Sequence, residues 1–538
     1  MDAYNLKKQF DYRKMMDENR LLKNKLSAAY LDISNITKQQ DNIINKKVKI
    51  KTKEIIEKFK EEMNNLEKKY MDNLLEKDKQ IEVLKKEVAK LASRLDNDAS
   101  NSGIPSSKTP IGKKKYVPNT REKSNKKIGG QVGHKKHKLE KFKDEEITEV
   151  VEVTPDVCPK CNSSDIKTLD TAVTKHETDY DVKLIKREYK FSDCKCNKCN
   201  NSFRSKIPND LKEDNQYGKT VQSLAICLTN EIYTPFNKVV KLVTGITKNE
   251  INMSEGYVVK LQKKGSDFLD KFLSDCKNHI IDSKVFGWDD SVITVDKKQA
   301  CLRIYATENV SLFVAHKQKN KEGLDTDGIL LNATDDTTVM HDNLLLNYNE
   351  EYRFENVECL IHLIRRLKKS HEETKHEWQL ELKSLLSKAN KDRNELIGKD
   401  VDCFDKKYLN GFMKEYDDIL VRATEENDND TDNYWFKEEI GFIKNLTKLK
   451  KSYTLWLTNF KLPSTNNNCE RNLRPIKSKL KISGQFQSLT YAEYHAKLRS
   501  YIETCKRNGI NIIDACERLM HGNPYTLTEV LNYKKEEQ

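Results

Sequence analysis

Glu470, Arg474 and Lys477 stand at i, i+4 and i+7 in ERNLRPIK, so on a helix one acid and two cations would share a face. Pro475 lies between the last two and could kink that helix, which leaves Lys477 the looser member. Two further acids, Asp289 in GWDDS and Asp342 in MHDN, fall where short β-rich runs break or end. Three carboxylates far apart in sequence, two at strand ends and one on a late helix, suit two-metal phosphoryl transfer. That chemistry needs two divalent ions about 3.5 to 4 Å apart, held by oxygen ligands. Carboxylates suit Mg²⁺, two ions per site, with Mn²⁺ as the alternative, and the neighbouring cations would grip phosphates. The plain alternative is that these are ordinary turn and cap carboxylates, drawn from the 84 acids in the chain.

A second chemistry is written in cysteines. Cys158-Pro-Lys-Cys161 and Cys196-Asn-Lys-Cys199 are two C-x-x-C pairs separated by 34 residues. Two intervening residues let both thiolates of a pair reach one tetrahedral ion at about 2.3 Å, so the four are expected to hold one structural Zn²⁺. A redox dithiol or unligated thiols are the alternatives. Cys194 lies just outside the frame and could only compete with Cys196. The total of 13 cysteines is odd and otherwise scattered, which argues for a metal site in a reducing compartment over a disulfide framework.

These residues need elements to carry them. The 538 residues point to three or four structural units. Residues 55–95 space Phe59, Met63, Leu66, Tyr70, Leu74, Ile81, Leu84, Val88, Leu91 and Leu95 mostly by threes and fours, a heptad seam. The expectation for 1–96 is a coiled-coil helix pairing with a second copy, most simply as a dimer; a helix folded back on its own chain is the alternative. Residues 97–140 lose this periodicity and form a basic linker or arm. Residues 101–140 hold 11 basic and 2 acidic side chains, whereas the 398 residues beyond them hold 63 and 64. Charge so localised reads as a segment facing nucleic acid, with a solvated linker as the bland reading.

A zinc-binding domain is expected over 141–212, with a strand-like stretch at Val182–Tyr189. Residues 213–280 read as helices with a break at Thr244–Thr247 and an N-cap at Ser254, either plain helical packing or a helix-turn-helix. VFGWDDSVITV, ACLRIYAT and VSLFVAH begin an antiparallel sheet, and ENVECLIHLIRRLKK reads as a helix. Residues 370–460 are helical and highly charged. STNNNCER then opens a new helix, with Asn466 to Asn468 as capping candidates. The fold class is therefore multidomain α+β. The chain starts without an apolar leader and contains no run of about 18 apolar residues. A cytoplasmic protein with no membrane segment is the expectation.

Several blocks, in order from Asn101 to Gly522, together resemble the insertion-sequence-sixty-six (IS66) family of DDE transposases. NSGIPSS and GGQVGHKKH look like that family's linker, and CPKC with CNKC like its zinc-binding domain. GWDDS resembles the first-aspartate block, with Asp290 where the family commonly has Glu, and HDN resembles the second. Cys359-Leu-Ile-His362-Leu-Ile-Arg365-Arg366 resembles its cysteine, histidine, double-arginine helix. NNNCERNLRP resembles its Asn-Asn-x-x-Glu-Arg-x-x-Arg-Pro block, putting Asn467, Glu470, Arg471, Arg474 and Pro475 in register beside Asn466. Thr465 departs from the family's usual Asp, and PIKSKLKISGQFQS replaces an Arg-Lys-Asn-Trp segment.

The resemblance implies a ribonuclease-H-like catalytic core split by a helical insertion: 281–369, the insertion 370–460, and 461–522, followed by a tail at 523–538. It implies Asp289, Asp342 and Glu470 as catalytic ligands, with His362, Arg366, Arg471, Arg474, Lys477, Asn466 and Asn467 as auxiliary or DNA-contacting groups. The arm residues expected on DNA are Lys113, Lys114, Lys115, Lys126, Lys127, Gln131, His134, Lys135 and Lys136. The implied activity is cleavage of element ends and joining of 3′-hydroxyls to target DNA, both double-stranded, with small accessory proteins of the same element as further partners. A catalytically inactive, domesticated DNA-binding descendant is the second reading. A coiled-coil scaffold with a zinc knuckle fits residues 1–200 only.

Overall fold

The computed structural model describes residues 3–39, 45–98, 100–101, 141–169, 173–208, 211 and 213–536, and it divides into two units, Met1–Asp96 and Asn97–Gln538. The nine arm residues from Lys113 to Lys136 lie outside the described residues.

The first unit is two helices, α1 (Ala3–Gln39) and α2 (Asn45–Leu95), where the sequence suggested one. The Tyr70 hydroxyl donates to the Glu18 carboxylate at 3.3 Å, so α2 meets α1 of its own chain. Leu22, Leu26, Ile56, Met63, Leu74 and Ile81 are half-buried. Phe59, Leu66, Leu84, Val88 and Leu91 stay exposed, because two helices cover only one side of each other's apolar stripe.

In the second unit, β1 (Asp193–Lys195) and β2 (Ser202–Arg204) form an antiparallel hairpin around the second C-x-x-C pair. Val182–Tyr189 is not a strand. Its Val182, Ile185 and Tyr189 are exposed, and alternation without a surface to bury against leaves a strand nothing to gain. Four helices follow: α3 (Lys219–Asn230), α4 (Phe236–Ile246), α5 (Glu255–Asp267) and α6 (Asp270–Ile281). The Ser254 hydroxyl accepts from the Tyr257 N–H at 3.1 Å, the N-cap its position promised. The connection from α4 to α5 runs over 247–254 with Lys248 and Asn249 left-handed, longer than the three- to four-residue turn of a helix-turn-helix.

The sheet follows: β3 (Val285–Val295), β4 (Lys298–Ala306), β5 (Ser311–His316), then α7 (Lys321–Asp327), β6 (Thr338–His341) and β7 (Glu355–Glu358). Strand order is β5-β4-β3-β6-β7; β3, β4 and β5 are antiparallel neighbours, while β6 and β7 run parallel to β3. Two expectations change here. β3 does not break at Asp289 and Asp290 but continues through them, and its two-residue turn at Asp296 and Lys297 (φ 44° and 61°) suits the right-handed twist of a hairpin. Glu355–Glu358, read as the start of a helix, is the edge strand β7, because its backbone completes the ladder on β6.

The helices after the sheet are α8 (Leu360–Thr374), α9 (Trp378–Ile397), α10 (Lys406–Asp428), α11 (Phe436–Lys448), α12 (Lys450–Thr454), α13 (Asn467–Ser483), α14 (Leu489–Arg507), α15 (Ile512–Met520) and α16 (Leu527–Glu536). The insertion shares one core with the sheet edge: Trp378, Leu386, Tyr416, Phe442 and Trp456 pack in the same apolar cluster as Val357, Cys359 and Leu360. Such a continuous core holds residues 378–457 against the β7 edge of the sheet as a fixed wall.

Alternation along β3 sorts its two acids. Gly287, Asp289 and Ile293 face α13, and Ile293 packs with Cys469 and Ile476. Phe286, Trp288 and Asp290 face the other way, where Lys319 pairs with Asp290 at 2.5 Å. On that second face Arg303, fully buried, donates to Asp327 at 2.5 and 3.2 Å and to the Gly323 carbonyl at 2.6 Å. The Tyr305 hydroxyl donates to the same Asp327 carboxylate at 2.8 Å.

Candidate active site

Register brings the first two acids together. Gly287 on β3 pairs with Met340 on β6 at the end of the parallel ladder, and two residues further along each strand stand Asp289 and Asp342. Both therefore emerge on the same face just past the end of the parallel ladder between β3 and β6. The helix bearing the third acid comes in against Gly287. A Cβ there would lie 2.9 Å from Asn466 Oδ1 and 3.1 Å from Cys469 Sγ, so only glycine admits α13 this close. Asn466 Nδ2 donates to the Trp288 carbonyl at 2.8 Å and fastens the helix start to β3. Asn466 is 1% exposed, so of the auxiliary and DNA-contacting roles expected for this group its burial suits the auxiliary one: it braces the protein from inside. Glu470 follows in the first turn of α13.

α8 closes the third side. The Cys359 N–H donates to the His341 carbonyl at 3.1 Å, Cys359 Sγ accepts from the Asn466 N–H at 3.3 Å, and the Leu360 N–H donates to the Ser464 carbonyl at 3.0 Å. One turn on, His362 Nδ1 lies 2.9 Å from Asp342 Oδ1 and 3.7 Å from Glu470 Oε1. The donor atoms of Asp342, Cys359, His362 and Glu470 all fall within 4.8 Å of one another.

Electrostatics follow from this crowding. Burial, and then the charge of Asp342, push the Asp289 carboxyl well above the usual carboxylate range, and Glu470 adds to the effect. Burial works against a charge on His362, yet pairing with Asp342 and then with Cys359 outweighs it and holds the imidazole at about 11. Three carboxylates thus converge around one imidazole, the charge of each disfavouring that of its neighbours. Asp342 Oδ1 is buried, with the His362 ring as its ion-pair partner. An excess of negative charge around buried oxygens fits a divalent cation.

The remaining predicted groups divide. Arg474 is exposed, 4.0 Å from Glu470, and α13 runs unbroken through Pro475, so Lys477 keeps its place on that face. Arg471 and Asn467 are exposed as well. Arg366 turns inward: its guanidinium stacks 4.3 Å from the Phe442 ring centre, and Nη1 donates to Asn343 Oδ1 at 3.0 Å. It braces the residue after Asp342.

That brace belongs to a network the sequence reading missed. Asn343 Nδ2 donates to the Tyr453 hydroxyl at 2.6 Å and to Glu358 Oε1 at 3.2 Å, and the Tyr348 hydroxyl donates to Glu358 at 2.5 Å. His341 bonds Asn356 at 2.7 Å behind it. Burial raises the Glu358 carboxyl, although His341 and the Tyr348 bond work the other way. The network ties the Asp342 loop to the insertion. Its one sequence signal was an acid, Glu358, inside a stretch that reads as helix.

The two cysteine pairs form matching turns. Cys158 N–H donates to Ser163 O and Asn162 N–H to Cys158 O at 2.9 and 2.8 Å; Cys196 and Asn200 repeat this with Asn201 O and Cys196 O at 2.8 Å each. Asn162 and Asn200 are both left-handed, φ 55° and 57°. Backbone N–H groups of Lys160 and Cys161 lower the Cys158 thiol, and those of Cys199 and Lys198 lower Cys196. Such turns favour thiolates. The four sulfurs do not gather within 4.8 Å of one another as the acid, cysteine and histidine donors do.

No helix among the described residues is long and apolar enough to cross a membrane. Comparison with curated proteins finds no match. The family model described as Transposase IS66 family matches residues 215–494, from just before α3 into α14, and so takes in the whole sheet, the insertion, α8 and α13. With more than half of the 538 residues matched, among them every group of the carboxylate cluster, the chain belongs to the IS66 family of transposases.

Proposed function

We propose that the protein is a DNA transposase that cleaves the ends of its element and joins the freed 3′-hydroxyls to target DNA, with Asp289, Asp342 and Glu470 as the ligands of two divalent ions, Mg²⁺ by preference. The observation that carries this reading is the convergence of one carboxylate from each of β3, the β6 loop and α13 on one face of the sheet. The mixed strand order β5-β4-β3-β6-β7, antiparallel on one side and parallel on the other, supports a ribonuclease-H-like core. Family membership implies DNA binding and a divalent metal.

When bound, the divalent ions would activate the attacking oxygen and steady the leaving oxygen of an in-line displacement. The protein supplies the rest. Asp289 and Asp342 are held by strand register, and Glu470 by the Gly287 contact and the Asn466 brace. Arg474 and Lys477, on the Glu470 face of α13, would hold phosphates of the reacting strand. His362 lies between Asp342 and Glu470, where its protonated ring offsets their charge. Water and DNA supply the nucleophilic oxygens, so no serine or tyrosine is assigned that role. Movement of a marker, placed between the DNA segments that adjoin the gene, tests the reading in cells. Movement that requires this chain supports it. No movement even with neighbouring genes supplied, while the ends are still bound, would favour a DNA-binding descendant.

The matching knuckles support one structural zinc held by Cys158, Cys161, Cys196 and Cys199, the sulfurs drawing together around it. The knuckles of the purified protein are expected to hold about one zinc per chain. Cys158→Ser should lose it, and a folded, metal-free wild type would refute the site. The exposed side of the α2 seam, Phe59 to Leu91, supports pairing of two copies so that both element ends are held in one assembly. A chain that sizes as a single copy on DNA would exclude that assembly.

A further inference from the structure

The carboxylate cluster contains donors that oxygen-loving cations do not need. Cys359 Sγ and His362 Nδ1 join Asp342 and Glu470 in one group whose donor atoms all lie within 4.8 Å of one another. Four ligands around a tetrahedral transition ion, with bonds of about 2.0 to 2.3 Å, sit about 3.3 to 3.7 Å apart. The separations of His362 Nδ1 from Asp342 Oδ1 and Glu470 Oε1, 2.9 and 3.7 Å, bracket that spacing.

The donors are already gathered at one point. Asp342 Oδ1 and His362 Nδ1 are buried and form an ion pair at 2.9 Å. A cation that replaces the imidazole proton would be shared by the same two atoms after a small separation. Cys359 is 1% exposed, held by the His341 carbonyl at its N–H and by the Asn466 N–H at its sulfur. Those bonds fix where the sulfur sits, and α8 places His362 three residues on, within reach of the same point.

We infer that Cys359, His362, Asp342 and Glu470 form a four-coordinate site for a thiophilic divalent ion of the zinc class. Thiolate and imidazole select such an ion over Mg²⁺. As the ion enters, the thiol and imidazole protons leave to solvent. Because Asp342 and Glu470 serve both sites, an ion held here competes with the oxygen-ligated ions, and zinc would block the cleft. The donor set stands whether or not the strand-transfer reading holds.

Cobalt(II) chloride, titrated into the full-length protein after dialysis to one zinc per chain, held by the knuckle cysteines, tests the site through thiolate-to-cobalt charge-transfer absorption. Wild type is expected to gain a thiolate band that saturates with a single added ion. Cys359→Ser should lose the band, and any cobalt that enters the knuckle cysteines contributes equally to both proteins and subtracts. Because Cys359 is buried and its serine variant could fail to fold, His362→Gln supplies a second reading. It keeps the sulfur and should need at least about tenfold more cobalt. Equal bands in wild type and Cys359→Ser, or unchanged cobalt affinity in His362→Gln, would overturn the proposal. No activity enters this measurement, so its failure leaves the transposase reading intact, and an immobile marker leaves the metal site intact.

Discussion

Glu470→Gln lowers movement of a marked element by about a thousandfold or more while binding of the element ends survives. Glutamine keeps the shape of the side chain and removes the charge that holds a cation. The helix start does not depend on that charge, because Asn466 and the Gly287 contact anchor α13. Asp342→Asn and Asp289→Asn should fall as far. The revealing comparison is Asp290→Asn. Asp290 neighbours Asp289 in sequence but lies on the opposite face of β3, paired with Lys319 at 2.5 Å. Its loss removes a partly buried ion pair and no ligand, so movement should drop far less than in Asp289→Asn. Transposition frequency per cell, measured beside end binding by gel shift, checks the set. Equal loss at 289 and 290 would break the assignment of faces, and full activity in Glu470→Gln would sink the two-metal reading.

The contrast between those neighbouring aspartates shows what the sequence could and could not carry. The residue types, their order and the helical spacing of Glu470, Arg474 and Lys477 were legible, because side-chain chemistry and local period are local properties. The facing of Asp289 and Asp342 was not. It depends on β3 pairing in parallel with β6 across about fifty residues, and nothing local announces that register. β7 was misread for the same reason: Glu355–Glu358 adjoins a strongly helical run and becomes a strand only because β6 offers a free edge. The inward turn of Asn466 and Arg366 was equally hidden. Both are polar residues beside acids, which in sequence look like contacts to a ligand, yet burial turns them into braces. His362 was legible as a candidate, but its cysteine partner gained a visible second pair of donors only when Asp342 and Glu470 came to the same point.

Asp327→Ala should cost about 3 to 5 kcal/mol, the largest loss of stability expected from a single substitution away from the carboxylate cluster. Arg303 is fully buried and Asp327 is nearly so, with the side chain 2% exposed. Removing the carboxylate leaves the guanidinium with the Gly323 carbonyl as its remaining acceptor and strands the Tyr305 hydroxyl. An uncompensated buried charge is the expensive outcome, more than the lost attraction itself. The double variant Arg303→Met, Asp327→Leu should therefore recover most of the loss, although each single change is severe. Urea unfolding of wild type, Arg303→Met, Asp327→Leu and the double variant completes the cycle, with Asp327→Ala measured beside them; a loss under about 1 kcal/mol in Asp327→Ala would show that water reaches the pair. The pair also bears on the chemistry. Arg303 lies across the ladder from Asp290, the residue after Asp289, so the ion pair clamps β4 and α7 beneath the strand that presents the first ligand. A partly rescued fold with movement still depressed would mean that this clamp sets the position of Asp289 as well as the stability of the sheet.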